Sequence, residues 1–230
     1  MLTSNIVSLK LRDSYKLIAK DYLNKKSQPW EDYKSFKSQI IPKINQITID
    51  LGAANGRNLI NDDSNFSIAL ELCFDLLVGF IGPENSQKVA GALPKTPFRK
   101  NSSDNLLCIA VLHHIENKEI VSASFQEMER ISTCTSSLIL SVWRRYRYDY
   151  RNKIFDAMKK NQNLNPLINH NRPWYDSKKQ IIAYRFYHYY TFKELYEFVK
   201  NSNYQFQKIK YIGGKHNDSN IFAQLITTSG

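Results

Sequence analysis

Short apolar runs recur along this chain, separated by polar stretches with helical spacing. The most apolar run, Leu106 to Leu112, is followed directly by His113 and His114. A run this short and this apolar is typical of a central strand that is buried on both faces of a parallel sheet. The strands predicted before residue 144 are Gln46–Leu51, Phe66–Leu70, Gln87–Ala90, Leu106–Val111 and Ser137–Trp143. Their alternation with helices predicts a parallel, doubly wound α/β sheet.

Helices are predicted between and around these strands. Residues 6–26 carry apolar side chains largely on one face, and a second helix is predicted from Tyr33 to Ile41, where Pro42 ends it. Other helices are predicted from Asn55 onward, over Lys118–Ser132 and over Thr191–Asn201. The last of these helices has a capping-box pattern in Thr191 and Glu194. Two closing strands, Tyr204–Tyr211 and Ile221–Ile226, predict a terminal antiparallel hairpin around Gly213-Gly214.

The length of 230 residues fits one domain with a substantial core. Residues 1–45 are predicted to form a helical extension of this single domain, 1–230. Between 144 and 184 the strand–helix pattern is lost in a segment rich in charge, Asn and Tyr. We expect this segment to be a basic and aromatic insertion made of loops and helix.

The composition indicates a basic protein in a reducing compartment. The formal net charge of +11 suits a polyanionic partner, because each phosphate that is neutralised releases counterions. The alternative is a composition bias that only solvates the surface. Three widely spaced cysteines without a C-x-x-C pair predict free thiols, no zinc site and a reducing compartment. No run approaches the roughly 20 apolar residues of a membrane helix, so a soluble cytoplasmic protein, or one shared with the nucleus, is expected.

The turn after the first strand is a candidate cofactor site. An acid precedes G-x-A-x-G in Asp50-Leu51-Gly52-Ala53-Ala54-Asn55-Gly56, which differs from the dinucleotide fingerprint and suits a methionine-type nucleoside cofactor. Small residues let the backbone approach the ligand, and the start of a helix offers free N–H groups. Glu71 follows the second strand at the position where an acid accepts ribose hydroxyls. A tight turn beside a surface carboxylate is the alternative.

His113 and His114 follow the central strand, at the edge where ligands bind in open parallel sheets. Because the two residues are adjacent, we expect their side chains to diverge, so that at most one points into the site. The other is expected to hydrogen-bond to the backbone as a structural cap. A metal role is not expected, since no third ligand follows at a suitable spacing.

Two later segments combine cations with aromatic residues. Residues 144–153 interleave five cations with three tyrosines, a pattern that holds phosphates while stacking on unpaired bases, although many charged segments are only solvated surface. Residues 185–190, Arg-Phe-Tyr-His-Tyr-Tyr, place an arginine and a histidine within a tyrosine cluster. An arginine there is a natural clamp for a carboxylate or a phosphate.

The motifs together resemble the eukaryotic family of tRNA wobble-uridine carboxymethyl methyltransferases, which includes the yeast-type enzyme and the methyltransferase domain of AlkB-linked animal relatives. The resemblance spans nearly the whole chain. Residues 109–114 match the family's "I-A-V-x-H-H", residues 185–188 match its "R-[YF]-Y-H", and Val142-Trp143 matches its "V-W". Residues 15–30 resemble "Y-x-x-I-A … T-R-x-x-P-W", and residues 172–174 resemble "V-P-W".

The chain departs from the family at several positions. The family's G-C-G-N-G turn has Ala53-Ala54 in place of Cys-Gly, and Lys25-Lys26 replaces Thr-Arg. The aspartate expected near the third strand is replaced around Gly91, and the "R-P-G-G" turn is degraded to residues 132–135. The changes at Ala53-Ala54 and around Gly91 bear on cofactor affinity.

The resemblance implies a class I S-adenosylmethionine-dependent methyltransferase, with a Rossmann-like seven-stranded sheet that ends in antiparallel strands. It implies S-adenosylmethionine as methyl donor, and the carboxylate of 5-carboxymethyluridine at the wobble position of tRNA as acceptor. It also implies a heterodimer with a small zinc-binding methyltransferase activator protein. Two alternatives stay open: methyl transfer to another RNA or a small acid, and an RNA-binding scaffold that has lost cofactor binding.

The predicted site residues fall into three groups. The catalytic group is His113, His114, Trp143, Arg185 and His188, with Arg185 and His188 holding the acceptor and Trp143 forming an aromatic wall. The cofactor-binding group is Asp50, Gly52, Ala54, Asn55, Gly56, Glu71 and Ile109. The RNA-binding group is Lys25, Lys26, Arg144, Arg145, Arg147 and Arg151.

Overall fold

The computed structural model describes residues 2–37, 46–59 and 66–228. The helices are α1 (Leu2–Lys25), α2 (Glu31–Lys37), α3 (Phe74–Val78), α4 (Lys118–Ile131), α5 (Tyr148–Lys159), α6 (Asn165–Ile168) and α7 (Phe192–Lys200). The strands are β1 (Ile47–Leu51), β2 (Phe66–Glu71), β3 (Gln87–Ala90), β4 (Ser103–Ile109), β5 (Ser132–Trp143), β6 (Asn169–Tyr175), β7 (Ile181–His188), β8 (Tyr204–Ile212) and β9 (Asn220–Thr227).

Seven strands form one sheet in the order β3-β2-β1-β4-β5-β9-β8. The first five are parallel to one another, and β9 and β8 close the sheet as an antiparallel pair. The predicted doubly wound sheet with terminal antiparallel strands is therefore confirmed. The order reverses between β1 and β4, and ligands in such sheets bind beyond the carboxyl ends of the strands at this point.

The apolar strands lie in the middle of the sheet and form cores on both faces. Leu106 and Cys108 of β4 pack into the core with α4 and α7, whereas Leu107 and Ile109 pack on the opposite face with Tyr33 of α2. This alternation follows from the two-residue period of a strand, and it explains why the whole run is apolar. Cys73 and Cys108 are buried free thiols, as predicted for two of the cysteines, and Cys134 is exposed.

Several predicted boundaries differ from the structure. The central strand ends at Ile109, because Ala110 takes φ of +60° and residues 112–114 form a 3-10 turn. The helix predicted from Asn55 does not form over residues 53–59, which are turns. The predicted end of the second helix at Ile41 and Pro42 lies outside the described residues. The predicted capping box of α7 is present, with Glu194 N–H donating to the Thr191 hydroxyl.

The insertion differs most from its prediction. After α5 and α6 the chain forms an antiparallel hairpin of β6 and β7, which extends past residue 184 to His188. Helix α1 packs against β7 and α3, with Ile18 buried beside Ala183 and Leu76. The hairpin and α1 thus form a wall that stands over the carboxyl ends of the central strands.

Candidate active site

A cavity of about 510 Å³ lies between the ends of β1, β2 and β4 and the wall formed by α1 and the hairpin. This volume is in the range of sites that bind small molecules and cofactors. Its charged and histidine lining residues are Lys26, Arg57, Glu71, His113, His114, Arg172 and Arg185. All three tryptophans of the chain, Trp30, Trp143 and Trp174, also line it.

The turn after β1 brings backbone to the cavity. Gly52 has φ of +78°, and a Cβ there would lie 2.5 Å from the Val111 side chain, so a glycine is required. Ala54 also has a positive φ, +50°, which is a conformation that costs a residue with a Cβ about 1–2 kcal/mol. Both residues line the cavity. The turn therefore presents backbone to the cavity. The methyl group of Ala54 lies at the position where the family has a glycine.

Glu71 is the acidic group of the cavity. Its two oxygens accept hydrogen bonds from Ala54 N–H at 2.8 Å and Cys73 N–H at 2.9 Å. Burial raises the pKa of Glu71, while these backbone hydrogen bonds act against that rise. A carboxylate has about four lone-pair sites. Leu72 N–H adds a third backbone hydrogen bond, so at least one site stays open to a ligand hydroxyl. The role of Glu71 in ribose binding stays a prediction.

The predicted cofactor residues divide into two sets. Gly52, Ala54, Glu71 and Ile109 line the cavity, whereas Asp50, Asn55 and Gly56 do not.

The second set supports the turn from behind. Asn55 donates from its side chain to Lys26 O at 3.0 Å, and a side chain at Gly56 would collide with the Phe80 ring. Burial and then Glu71 raise the pKa of Asp50 to about 7. These three residues shape the turn and do not contact the space inside.

Both histidines line the cavity, so the expected divergence of their side chains is wrong. The 3-10 turn places the rings 4.5 Å apart, and the His113 ring stacks on Tyr187 at 4.9 Å. His114 donates from Nδ1 to Phe186 O at 2.8 Å and accepts from the Tyr15 hydroxyl at 3.0 Å. His114 is thus the capped histidine that was expected, and its neighbour has no partner for Nδ1 among the described residues.

Both imidazoles are neutral at pH 7. Burial lowers the pKa of His114 to about 4. Burial, together with His114 and Arg185, lowers the pKa of His113 well below its usual value of 6.5. The histidines therefore contribute hydrogen-bonding groups and aromatic surface to the cavity but no charge.

The hairpin supplies the cationic part of the cavity. Arg185 lies over the Trp174 ring at 4.6 Å and over Tyr187 at 5.2 Å, and its buried Nε has no hydrogen-bond partner among the described residues. Arg172 lies over the Trp143 ring at 4.7 Å. Trp143 lines the cavity at the position predicted for an aromatic wall.

His188 does not reach the cavity, contrary to its predicted place beside Arg185. It hydrogen-bonds to Asn169 Oδ1 at 2.7 Å and lies 3.6 Å from Glu194. Successive side chains of a strand point to opposite faces, so Arg185 and Tyr187 share the cavity face and His188 lies on the other. The role predicted for His188 in holding the acceptor has no support in this geometry.

The predicted RNA-binding cations occupy different environments. Lys26 lines the cavity, whereas Lys25 pairs with Asp21 at 2.7 Å. Arg145 is buried and donates to both carboxylate oxygens of Glu194 at 2.6 and 2.7 Å, which makes it a structural residue. Arg144, Arg147 and Arg151 lie on tyrosine rings, the first two also paired with Asp218 and Asp149.

The cavity residues that were not among the predicted site residues include Tyr15, Arg57, Arg172, Trp174 and Tyr187. Tyr187 follows from the two-residue alternation with Arg185 once a strand is assigned there. Arg172 replaces the valine of the family's "V-P-W", so the motif match concealed a change of charge. Arg57 had no signal beyond its place after the glycine turn.

The described residues hold no group of three or more His, Cys, Asp or Glu side chains that could bind a metal ion. In that part of the chain no helix is long and apolar enough to cross a membrane.

Solved structures with the same fold are methyltransferases. A SAM-dependent methyltransferase from Methanosarcina mazei matches with a TM-score of 0.65 at 10% identity, over 88% of this chain and 100% of that one. The complex of the Haloferax volcanii Trm112 methyltransferase activator with a methyltransferase matches with a TM-score of 0.67 at 10% identity, over 96% and 98%.

A third match is the Burkholderia thailandensis 1,6-didemethyltoxoflavin-N1-methyltransferase with bound S-adenosylhomocysteine, with a TM-score of 0.66 at 13% identity over 97% and 90%. No protein-family model and no curated protein matches the sequence. The fold is therefore the class I SAM-dependent methyltransferase fold, as predicted, and identities this low establish the fold alone.

Proposed function

We propose that this protein is an S-adenosylmethionine-dependent methyltransferase. The observation that carries the proposal is the Glu71 carboxylate, held by two backbone N–H groups at the mouth of the glycine turn and open to the cavity. S-adenosylmethionine supplies a methyl group on a positively charged sulfur. Three features of the described residues suit it: Glu71 for the ribose hydroxyls, the turn at Gly52 for close backbone approach, and Leu93 for apolar contact with the base. Gly91, where the family has an aspartate, offers the base no carboxylate.

For the acceptor we propose the carboxylate of 5-carboxymethyluridine at the wobble position of tRNA, which becomes the methyl ester. The support is the cationic hairpin, where Arg172 and Arg185 line the cavity without a carboxylate partner among the described residues. The match of residues 109–114 and 185–188 to the family motifs points to the same acceptor. The net charge of +11 and the cations on tyrosine rings at α5 suit an RNA backbone.

The chemistry requires positioning and charge more than a base. A carboxylate is already an anion, so its oxygen attacks the methyl carbon in line with the departing sulfur without prior loss of a proton. Arg185 holds the carboxylate, and the neutral His113 and His114 do not protonate it. Trp143, Trp174 and Tyr187 exclude water, which strengthens each electrostatic interaction in the site.

We also propose a methyltransferase activator as partner. Strand β3 lies at the edge of the sheet with a neighbour on one side only, which leaves an edge to which another chain can add. Phe74 and Val78 of α3, the helix that follows β2, are 66% and 74% exposed although both are large and apolar. The Haloferax neighbour is a methyltransferase bound to such an activator.

The test is mass spectrometry of nucleosides from tRNA that carries carboxymethyluridine, after incubation with S-adenosylmethionine and the chain co-expressed with an activator. We expect the methyl ester of carboxymethyluridine to appear, and to be absent when S-adenosylhomocysteine replaces the donor. No ester together with intact S-adenosylhomocysteine binding would refute the acceptor. No binding of either cofactor form together with tRNA binding would instead indicate an RNA-binding scaffold.

A further inference from the structure

Four cations line the cavity without a carboxylate partner among the described residues: Lys26, Arg57, Arg172 and Arg185. By contrast, other arginines of low exposure are paired, with ion pairs of 2.6–3.0 Å in the described structure: Arg130, Arg144, Arg145 and Arg147. Partly buried charges are ordinarily paired, because their desolvation is costly. Lys26 is exposed, but Arg57, Arg172 and Arg185 are partly buried, and three such arginines without a carboxylate partner in the described structure indicate an anion that binds in the cavity.

Two of these cations lie directly opposite each other. Arg172 of β6 and Arg185 of β7 are cross-strand partners in the hairpin register. Like charges in directly opposed positions destabilise a strand pair. The described residues place no acid between them, so the hairpin keeps a repulsive pair that its own stability does not require.

The side chains of this pair are held in place by aromatic rings. Arg172 lies over Trp143 and Arg185 over Trp174, at 4.7 and 4.6 Å, and both lie over Tyr187, at 5.7 and 5.2 Å. Rings that fix the guanidinium planes lower the entropy that is lost when an anion binds. The arrangement is a rigid pair of donors on one aromatic floor, with a tryptophan on each side.

We propose that Arg172 and Arg185 form a two-arginine clamp that binds the carboxylate of the acceptor, with Arg172 as a specificity-determining residue. The inference rests on the proposed function and names the group that decides between acceptors. Each guanidinium donates to one carboxylate oxygen, and the carboxylate has enough lone-pair sites for both. A neutral amide in the same position offers one oxygen acceptor and an NH₂ donor that faces a cation, so the clamp rejects it.

The clamp also accounts for the electrostatics of its surroundings. Burial and then Arg57 and Arg185 lower the pKa of Lys26, and both arginines of the clamp act to lower the pKa of His113. An anion between the two guanidinium groups would relieve this excess of positive charge. A nucleoside carboxylate can also stack on the aromatic rings beside the clamp, which inorganic phosphate cannot.

The experiment is a binding titration followed by tryptophan fluorescence, since every tryptophan of the chain lines the cavity. The protein, saturated with S-adenosylhomocysteine, is titrated with 5-carboxymethyluridine, with the neutral 5-carbamoylmethyluridine and with inorganic phosphate. We expect the carboxylate nucleoside to bind at least about 10-fold more tightly than the amide, the change that 1.4 kcal/mol produces. Phosphate is expected to compete weakly.

The variant Arg172→Gln is expected to lose most of this selectivity, with carboxylate binding about 10-fold weaker and amide binding unchanged. Arg172→Lys should restore part of it, because the charge returns without the planar fork. Arg99→Gln, which changes an exposed arginine outside the cavity, is the matched control and should bind as the wild type. The melting temperature of Arg172→Gln should equal or exceed that of the wild type, whereas a structural role would lower it.

Equal binding of the two nucleosides, or no quenching by either, would overturn the clamp. So would an Arg172→Gln variant that keeps the selectivity, or phosphate that competes as strongly as the carboxylate nucleoside. Failure of the proposed function has a different signature, namely no S-adenosylhomocysteine binding or no ester on tRNA while carboxylate selectivity is retained.

Discussion

The two halves of the cavity carry different charged side chains. The half beside β1 and β2 has the Glu71 carboxylate at its surface, with Asp50 buried directly behind and the cations Lys26 and Arg57 at the same turn. The half beside the hairpin has Arg172 and Arg185, and its histidines are neutral. The cavity thus has a carboxylate for ribose hydroxyls in one half and a pair of arginines for an anionic methyl acceptor in the other.

The two halves also differ in how they are held. Hydrogen bonds from backbone N–H groups fix Glu71, so its position depends on the turn after β1 and on Cys73. Stacking on aromatic rings fixes the arginines, and neither has a carboxylate partner among the described residues. Substitutions in one half should therefore change the binding of one ligand and leave the other ligand nearly unaffected.

Of the substitutions considered, replacement of Arg185 should have the largest effect on acceptor binding and methyl transfer. Arg185→Gln removes a charged donor from a partly buried site, and we expect methyl transfer to carboxymethyluridine to fall by about 10- to 150-fold, since a hydrogen bond to a charged group contributes about 1.5–3 kcal/mol. The rate of ester formation on tRNA measures this loss. Affinity for S-adenosylhomocysteine should stay within about twofold of the wild-type value. A parallel loss of cofactor affinity would show that the halves are not independent.

Glu71→Gln tests the cofactor half in the same way. The amide keeps the shape of the side chain but can accept with only one oxygen, so it loses either the Ala54 or the Cys73 hydrogen bond. Calorimetric titration should show S-adenosylhomocysteine binding weakened about 10-fold or more. Selectivity for the carboxylate nucleoside, measured by fluorescence, is expected to persist. Unchanged cofactor affinity would refute the role of this carboxylate.

Asp50→Asn tests the buried acid behind the turn. The folded pKa of Asp50, about 7, is raised above the unfolded value of 3.8, so the stability of the wild type falls as pH rises through that interval. The variant lacks this loss, and its advantage in free energy of unfolding should grow between about pH 4 and pH 7, to roughly 4 kcal/mol at most. Urea unfolding across that range measures the difference.

His114 contributes with the opposite sign in the same pH range. Its folded pKa, about 4, lies below the usual 6.5, so it destabilises the fold as pH falls from 6.5 towards 4. Because both proteins contain His114, its contribution cancels in the comparison of variant and wild type. A difference that does not depend on pH would mean that Asp50 keeps an ordinary pKa.

The smallest expected effect is that of Ala54→Gly. Glycine relieves the left-handed conformation at φ of +50°, and its extra freedom in the unfolded chain offsets that gain, so stability should change by less than about 1 kcal/mol. Removal of the methyl group opens the turn to the cofactor, and affinity for S-adenosylhomocysteine should rise about threefold. Weaker binding would show that the methyl group contacts the cofactor favourably.

The sheet was predictable from the sequence because its central strands are apolar and alternate with helical segments. Strand β3 matches its predicted bounds, Gln87–Ala90, and β1 and β2 match within one residue. The predicted end of the central strand was wrong because a local backbone conformation interrupts the apolar run. The apolar run at 106–112 continues past the strand, but Ala110 turns the chain at a positive φ and brings His113 and His114 to the cavity together. Sequence alone does not show such a turn, because alanine rarely adopts it.

The hairpin was not predictable in the same way. Its strands carry Asn, His, Arg, Trp and Tyr, and β6 has no fully buried residue, so no apolar alternation marks it. The cavity face of β7 became clear only once a strand was known, and with it the cross-strand pairing of Arg172 and Arg185. The cofactor half, built on a local turn, was largely predictable, whereas the acceptor half depends on pairing between distant residues.

In this account the cofactor binds beside Glu71 and the acceptor binds beside the arginine pair. The most direct test is a crystal structure of the protein with S-adenosylhomocysteine and 5-carboxymethyluridine. The account predicts the ribose hydroxyls of the cofactor on Glu71. It predicts the acceptor carboxylate about 3 Å from donor nitrogens of both Arg172 and Arg185, with one of its oxygens facing the cofactor sulfur. An acceptor carboxylate bound away from the hairpin, or a cofactor bound in the arginine half, would contradict it.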